Sequence, residues 1–195
     1  MKQYVIVGNG IAAAGCIEGI RKIDKDTPIT VISSEKYPVY CRPLISYYLQ
    51  GKTDLKRMNY RSAAFYSDNG CEVIYGETVI KVNSEEHTVL LSNGQEISYT
   101  RLLIATGSSP FVPRFEGIET VSQKYSFMTI DDTLSLEKSI FDTARVLIVG
   151  AGLIGLKCAE GLKDRVGKIT VCDLAKNVLS SILDDDTAPD RKSVV

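Results

Sequence analysis

Two short stretches decide the fold of this chain: Tyr4-Val5-Ile6-Val7-Gly8-Asn9-Gly10-Ile11-Ala12-Ala13 and Val146-Leu147-Ile148-Val149-Gly150-Ala151-Gly152-Leu153-Ile154-Gly155. Each begins with an apolar run of strand type, continues through a glycine-rich turn and opens a segment of helical type. An acidic residue follows the next predicted strand in both cases, Glu35 in the first and Asp173 in the second. This pattern is typical of a βαβ unit that binds a dinucleotide, so two copies predict two bound dinucleotides. Two dinucleotides in one protein suggest a flavin that is reduced by a nicotinamide.

The positions of each turn have separate physical roles. The first glycine permits the tight turn, the second lets the backbone approach a pyrophosphate, and the third small residue lets the helix pack closely on the strand. The pyrophosphate then lies at the helix N-terminus, where unpaired N–H groups and the helix dipole favour an anion. The positions predicted to bind cofactor in this way are Gly8, Gly10 and Ala13 in the first copy, and Gly150, Gly152, Ile154 and Gly155 in the second.

The two acidic residues are predicted to accept hydrogen bonds from ribose hydroxyls. Glu35 follows the second strand of the first copy and would bind the adenosine ribose. Asp173 would bind a 2′-hydroxyl and repel a 2′-phosphate, which favours NADH over NADPH. Lys176 follows closely in the sequence, and its positive charge would weaken that preference if it lay near the 2′ position.

Composition sets the class of protein. The chain has 195 residues, 44% apolar and 24% charged, as expected of a globular protein with one or two domains. Its net charge of -1 gives no reason to expect a nucleic acid or a membrane surface as partner. The five cysteines are scattered without a C-x-x-C pair, which favours the cytoplasm and argues against disulfides or a metal site.

A third motif makes the interpretation specific. Leu102-Leu103-Ile104-Ala105-Thr106-Gly107-Ser108-Ser109-Pro110 resembles the A-T-G motif of flavoproteins that hold two dinucleotides. The order of first fingerprint, β-meander, A-T-G motif and second fingerprint resembles the pyridine nucleotide-disulfide oxidoreductase superfamily, from Lys2 to about Asp186. Ser34–Ser46 is similar to its rubredoxin reductase and nitrite reductase flavoprotein branch.

The resemblance implies FAD and NAD(H) as cofactors and adds residues to the site. It places Ala105, Thr106 and Gly107 near the FAD. It also implies that Arg42 and Pro43 line the flavin or its phosphates, and that Val79 offers backbone groups to the adenine. Lys52 either approaches the isoalloxazine or lies in a solvated loop. The residues that the resemblance adds are Arg42, Pro43, Lys52, Val79, Ala105, Thr106 and Gly107.

The fold expected from these motifs is α/β. A Rossmann-like FAD-binding domain with a β-meander would occupy residues 1–115, and a partial NAD(P)-binding Rossmann domain residues 116–195. Strands are predicted near both fingerprints and in a meander that turns at Asn93-Gly94, and helices over 62–69 and 131–141.

The function implied by the resemblance is FAD-dependent NAD(P)H oxidation. A hydride would pass from NADH to FAD, and electrons would continue to rubredoxin, another small redox protein or a small molecule; no protein residue is needed as acid or base. Two alternatives stay open: a thiol or CoA-disulfide reductase that uses Cys41, and a non-catalytic nucleotide-binding fragment. Cys41 has no second cysteine four or five residues away, as dithiol enzymes require.

Two departures from the family pattern qualify the prediction. Lys157 stands where many relatives have a glutamate that contacts nicotinamide or flavin. Asp190–Val195 does not resemble the family, in which further chain closes the FAD site. We therefore expect an incomplete oxidoreductase that purifies with little flavin unless a homodimer completes its sites.

Overall fold

The computed structural model describes residues 2–184 and 186–187. Asp190–Val195, the segment that departs from the family pattern, lies outside the described residues. In chain order the strands and helices are β1 (Tyr4–Val7), α1 (Ile11–Ile23), β2 (Ile29–Ser33), α2 (Ile45–Leu49), α3 (Phe65–Asp68), β3 (Cys71–Tyr75), β4 (Val79–Asn83), β5 (Thr88–Leu91), β6 (Glu96–Ser98), β7 (Arg101–Ile104), α4 (Ile130–Glu137), β8 (Arg145–Val149), α5 (Leu153–Leu162) and β9 (Lys168–Cys172). Short 3₁₀ turns cover Arg42–Leu44 and Ile118–Thr120.

The chain forms two compact units. The first unit comprises Met1–Cys41 and Asn59–Ser109, and the second comprises Arg42–Met58 and Pro110–Val195. Residues 42–58 thus group with the second unit, although they fall inside the stretch 1–115 that the sequence assigns to one domain. Each unit is described by itself.

A parallel sheet in the order β3-β2-β1-β7 is the framework of the first unit. Its two inner strands are almost wholly buried, which explains why they read as continuous apolar runs. On one face, Ala13, Ala14 and Ile17 of α1 pack against Ile6 and Val31. This βαβ arrangement confirms the predicted α/β class.

The antiparallel meander β4-β5-β6 covers the other face of that sheet. Val89 and Leu91 of β5 are fully buried, and they pack with Val5 and Ile32 of the parallel strands. The predicted turn at Asn93-Gly94 is present, with Gly94 at φ +86°. The first Rossmann sheet is therefore enclosed by a helix and a meander from its own unit.

In the second unit β8 and β9 pair in parallel and pack with three helices. Leu49 of α2 is fully buried in a cluster with Leu136 of α4 and Leu162 of α5. Arg165 donates to the Leu49 carbonyl at 3.0 Å and to Glu137 Oε1 at 2.9 Å. These long-range contacts explain why residues 42–58 group with this unit.

Two predicted helices are shorter than expected. The stretch 62–69 is helical only over Phe65–Asp68, and the helix predicted over 131–141 runs over Ile130–Glu137. The start of α4 is set by a reciprocal capping box, because Thr129 Oγ1 accepts from the Asp132 N–H and Asp132 accepts from the Thr129 N–H, both at 3.0 Å.

Candidate functional site: two glycine turns

The first glycine turn joins β1 to α1 at the carboxyl end of the parallel sheet. Gly8 has a φ of +105°, and a Cβ built on it would lie 2.2 Å from the carbonyl oxygen of Ala105. Both strain and space therefore require glycine at this position. Gly10 is the extended N-cap of α1, and a Cβ built on it meets no atom within 4 Å. The turn is thus open beside the helix N-terminus, where backbone N–H groups favour an anion.

The second glycine turn joins β8 to α5 with the same backbone geometry. Gly150 has a φ of +113°, and Gly152 is an extended N-cap whose built Cβ meets no atom within 4 Å. A Cβ on Gly155 would lie 2.0 Å from the Gly150 carbonyl oxygen, so α5 packs too closely on its own turn for a larger residue. Ile154, in the first turn of α5, is 54% exposed.

The third small position differs between the copies. Ala13 carries a methyl group and is fully buried among Ile6, Ile29 and Val31. The methyl group thus fills space between α1 and its sheet that does not exist at Gly155. Both arrangements give the close packing of helix on strand that the motif requires.

Asp173 lies at the carboxyl end of β9 and contacts the second turn directly. Its Oδ2 accepts from the Ala151 N–H at 2.6 Å, and its Oδ1 accepts from the Ala175 N–H at 2.7 Å. The hydrogen bonds from Ala175 and then Ala151 lower the pKa of Asp173, because they stabilise the ionised form. The predicted ribose acceptor is thus an anion held against the glycine turn.

Glu35 follows β2 in the first unit, at the same edge of the sheet as the first turn. Its carboxylate Oε2 accepts a hydrogen bond from the Tyr40 hydroxyl at 2.6 Å, and its carbonyl accepts one from the Ser33 hydroxyl at 2.9 Å. The two acidic residues therefore differ: Asp173 contacts its glycine turn, whereas Glu35 is oriented by an aromatic side chain.

The A-T-G segment is brought against the first turn. The Ala105 N–H donates to the Val7 carbonyl at 2.7 Å, and its own carbonyl limits the space at Gly8. Thr106 and Gly107 are exposed, and Gly107 has a φ of +72°. The motif and the first fingerprint thus meet because β7 pairs with β1.

Val79 begins β4, four positions after the last residue of β3. Its side chain packs against the cluster formed by the meander and the parallel sheet. The pairing with β5 shifts register between Val79 and Lys81, so the strand is irregular where the resemblance predicts backbone contact with adenine.

Arg42, Pro43 and Lys52 belong to the second unit, whereas the first turn belongs to the first. Arg42 donates to the Met128 carbonyl at 3.1 Å, and Pro43 is exposed. Lys52 is exposed, and its Nζ lies 5.9 Å from the centre of the Tyr47 ring.

Lys157 is paired with a carboxylate one helical turn further along α5. Its ammonium group forms an ion pair with Glu160 and lies 5.0 Å from the centre of the Tyr47 ring. The ion pair raises the pKa of Lys157 and lowers the pKa of Glu160. The charge of Lys157 is therefore balanced within α5 by Glu160.

Cys41 is a half-buried free thiol. Within residues 2–184 and 186–187, no group of three acidic, histidine or cysteine side chains is arranged to hold a metal ion. The same residues include no helix with the length and apolar character needed to cross a membrane.

Sequence reasoning missed Asn9 and Tyr66. Asn9 occupies the variable position between the two glycines of the first fingerprint, and its side chain accepts a hydrogen bond from the Tyr66 hydroxyl at 2.7 Å. A motif defined by glycines does not specify the residue between them, and Tyr66 lies far away in the sequence. The signal for this pair is three-dimensional.

Comparison with known proteins agrees with this geometry. The family model for pyridine nucleotide-disulphide oxidoreductases matches residues 2–189. The chain is 35% identical over 184 residues to a nitrite reductase [NAD(P)H] of Bacillus subtilis (strain 168), covering 94% of this chain and 23% of the relative. It is 31% identical to a nitric oxide reductase FlRd-NAD(+) reductase of Escherichia coli O7:K1 (strain IAI39 / ExPEC), covering 93% of this chain and 47% of the relative.

The fold is shared with a crystal structure of NADH:rubredoxin oxidoreductase from Clostridium acetobutylicum. The TM-score is 0.82 at 24% identity, and the match covers 98% of this chain and 50% of that one. The chain spans between about a quarter and a half of the length of the curated relatives it matches. Members of the matching family bind FAD and NAD(P)H. The resemblance seen in the sequence is confirmed, and the chain belongs to the pyridine nucleotide-disulphide oxidoreductase family.

Proposed function

We propose that this chain binds FAD at the first glycine turn and NADH at the second, in an oxidoreductase that transfers a hydride from NADH to FAD. Residues 1–115 would carry the FAD-binding domain and residues 116–195 the NAD(P)-binding domain. The observation that supports this most strongly is the shared geometry of the turns. In both, the second glycine caps a helix and has no neighbour within 4 Å of its built Cβ.

The residues of the first unit fit the ADP portion of FAD. The Gly8–Ala13 turn would receive the pyrophosphate at the N-terminus of α1, and Glu35 would accept from the adenosine ribose. Val79 would contact the adenine, and the exposed Thr106 and Gly107 would border the cofactor. When bound, FAD supplies the hydride acceptor and the electron carrier of the reaction.

The residues of the second unit fit NADH. Gly150, Gly152, Ile154 and Gly155 would bind the pyrophosphate of NADH, and the ionised Asp173 would bind the ribose and exclude a 2′-phosphate. Arg42, Pro43 and Lys52 are proposed to contact the flavin on the strength of the family resemblance alone.

The electron acceptor we propose is a small redox protein. The support is the name of one relative, which is a FlRd-NAD(+) reductase. We place the protein in the cytoplasm, where NADH is supplied and where the free cysteines of the described chain stay reduced.

Substitution at Gly10 tests the proposal. In Gly10→Ala the new methyl group meets no protein atom, so the fold is retained, but the methyl group enters the space proposed for the pyrophosphate. Although little flavin is expected to remain bound through purification, titration with added FAD should show the flavin bound by the wild type and largely lost in the variant. Gly15→Ala is the matched control, because Gly15 lies in the same helix and its built Cβ also meets nothing within 4 Å. Equal FAD affinity in all three proteins would contradict the proposal.

A further inference from the structure

The Asn9 side chain is bound at both ends. Its Nδ2 donates to the Tyr37 carbonyl at 3.3 Å, and its Oδ1 accepts from the Tyr66 hydroxyl at 2.7 Å. Because a carbonyl oxygen only accepts, Tyr37 sets the orientation of the amide and leaves Oδ1 for Tyr66. The residue between the two glycines of the first turn is therefore held by its side chain.

The Tyr66 hydroxyl joins two segments of the first unit. While it donates to Asn9, its oxygen accepts the Val39 N–H at 3.0 Å. Burial raises the pKa of Tyr66, so the hydroxyl keeps its proton and remains a donor at neutral pH. We refer to Asn9, Tyr37, Val39 and Tyr66 as the Tyr66 hub.

The Tyr66 hub also holds the segment that carries Glu35. The hub bonds this segment at Tyr37 and at Val39, two and four positions after Glu35. Within the segment the Tyr40 hydroxyl orients the Glu35 carboxylate, and the rings of Tyr37 and Tyr40 meet edge to face at 6.4 Å. The glycine turn and the acidic side chain are thus tied to one common point.

We propose that Tyr66 and Asn9 are positioning residues for FAD, which set the spacing between the pyrophosphate turn and the ribose-accepting carboxylate of Glu35. This proposal rests on the proposed function, in which the turn and Glu35 bind the ADP portion of FAD. The hub acts through these groups: Asn9 fixes the turn, and the bonds to Tyr37 and Val39 fix the Glu35 segment.

Tyr66→Phe is the direct test. The variant keeps the ring and its edge-to-face contact with Phe65 at 5.2 Å, and it removes only the hydroxyl. Asn9 then loses its donor and the Val39 N–H loses its acceptor, so we expect FAD affinity to fall about tenfold, with NADH affinity at the second turn unchanged. Tyr99→Phe is the matched control, since it removes a hydroxyl bonded to the Asn83 carbonyl at 3.3 Å in the meander.

A double-mutant cycle separates positioning from general loss of stability. Asn9→Ala and Tyr66→Phe break the same hydrogen bond, so their effects on FAD affinity should be clearly less than additive in the double variant. Tyr66→Phe and Tyr99→Phe should add. Thermal unfolding of each variant shows whether a fall in FAD affinity is accompanied by unfolding.

The outcomes distinguish this proposal from the one it rests on. If the wild type binds FAD, Gly10→Ala loses it and Tyr66→Phe binds it unchanged, the hub proposal is wrong and the proposed function stands. A loss of FAD affinity in Tyr99→Phe equal to that in Tyr66→Phe also overturns the hub proposal. If the wild type binds no FAD under any condition, both proposals fail. A loss confined to Asn9→Ala and Tyr66→Phe, with NADH binding intact, supports the hub.

Discussion

The two glycine turns share a motif and a backbone geometry but are held by different contacts. In the first, the neighbouring A-T-G segment limits the space at Gly8, and the Asn9 side chain accepts a hydrogen bond from the half-buried Tyr66. In the second, a Cβ on Gly150 meets nothing within 4 Å. There the Ala151 N–H is bound by Asp173, and the Ala151 carbonyl accepts from Leu179 at 3.0 Å. The motif thus specifies the turn, while its surroundings decide which substitutions each turn tolerates.

Substitution of the first glycine of each turn, Gly8 or Gly150, should show the largest difference in the free energy of unfolding. Gly8→Ala combines backbone strain with a contact of 2.2 Å to the Ala105 carbonyl, so we expect a loss of about 4 kcal/mol in the free energy of unfolding. Gly150→Ala carries the strain alone and should cost about 2 kcal/mol. Urea denaturation of both variants measures the two values. Equal losses would mean that the A-T-G segment does not restrict the first turn.

The next largest difference in stability is expected at the third small position of each turn, Ala13 or Gly155. Gly155→Ala places a methyl group 2.0 Å from the Gly150 carbonyl, so α5 must shift at a cost of about 2–3 kcal/mol. Ala13→Gly introduces no clash and should cost about 1 kcal/mol through its lower helix propensity, with a further loss from the buried methyl group. Thermal unfolding measures the loss of stability in both variants. A Gly155→Ala variant as stable as the wild type would contradict the close packing of the second turn.

Asp173 should make the second turn select NADH over NADPH. The Asp173 carboxylate is ionised and is held beside the turn by Ala151, so NADH should bind at least about tenfold more tightly than NADPH. Asp173→Asn should reduce the ratio of NADH affinity to NADPH affinity, whereas Glu35→Gln in the first unit should leave this ratio unchanged. Fluorescence titration with both coenzymes provides the test. Equal affinities in the wild type would show that Lys176 or another cation outweighs Asp173.

A smaller effect is expected on the stability of the first unit at acid pH, through the carboxyl group of Asp24. The hydrogen bond from Lys2, followed by those from Thr27 and Tyr4, lowers the pKa of Asp24 well below its usual range. A carboxyl whose pKa is lower when folded contributes stability that is complete above its unfolded pKa of about 3.9 and is lost as the pH falls below that value. Asp24→Asn should therefore flatten the acid limb of the stability curve. If the acid limb is unchanged in Asp24→Asn, the loss of stability at low pH comes from Asp173 and other carboxyl groups instead.

The fold was predictable where one strand and its own turn carry the information. Buried parallel strands read as apolar runs, and glycine spacing marked both turns. The grouping of residues 42–58 with the second unit was not foreseen, because it depends on Leu49 and Arg165, which are 116 positions apart. The start of α4 depended on the Thr129 capping box, and its end came earlier than the apolar pattern indicated.

The candidate site was predictable in its motif residues and not in the contacts that hold them. Gly8, Gly10, Gly150 and Gly152 lie where the fingerprint requires. The role of Asn9 was hidden because the motif leaves its position variable. The Asp173 contact with Ala151 was also hidden, since sequence spacing shows that an acidic residue follows the strand but not that its carboxylate faces the turn.

Crossed substitutions at the two turns test whether they bind two different dinucleotides. Gly10→Val and Gly152→Val each place a branched side chain in open space beside one helix N-terminus. FAD and NADH affinities should be measured for both variants by titration. We predict that Gly10→Val loses FAD and keeps NADH, and that Gly152→Val loses NADH and keeps FAD. Loss of the same ligand in both variants, or of no ligand in either, would show that the two turns do not bind two different dinucleotides.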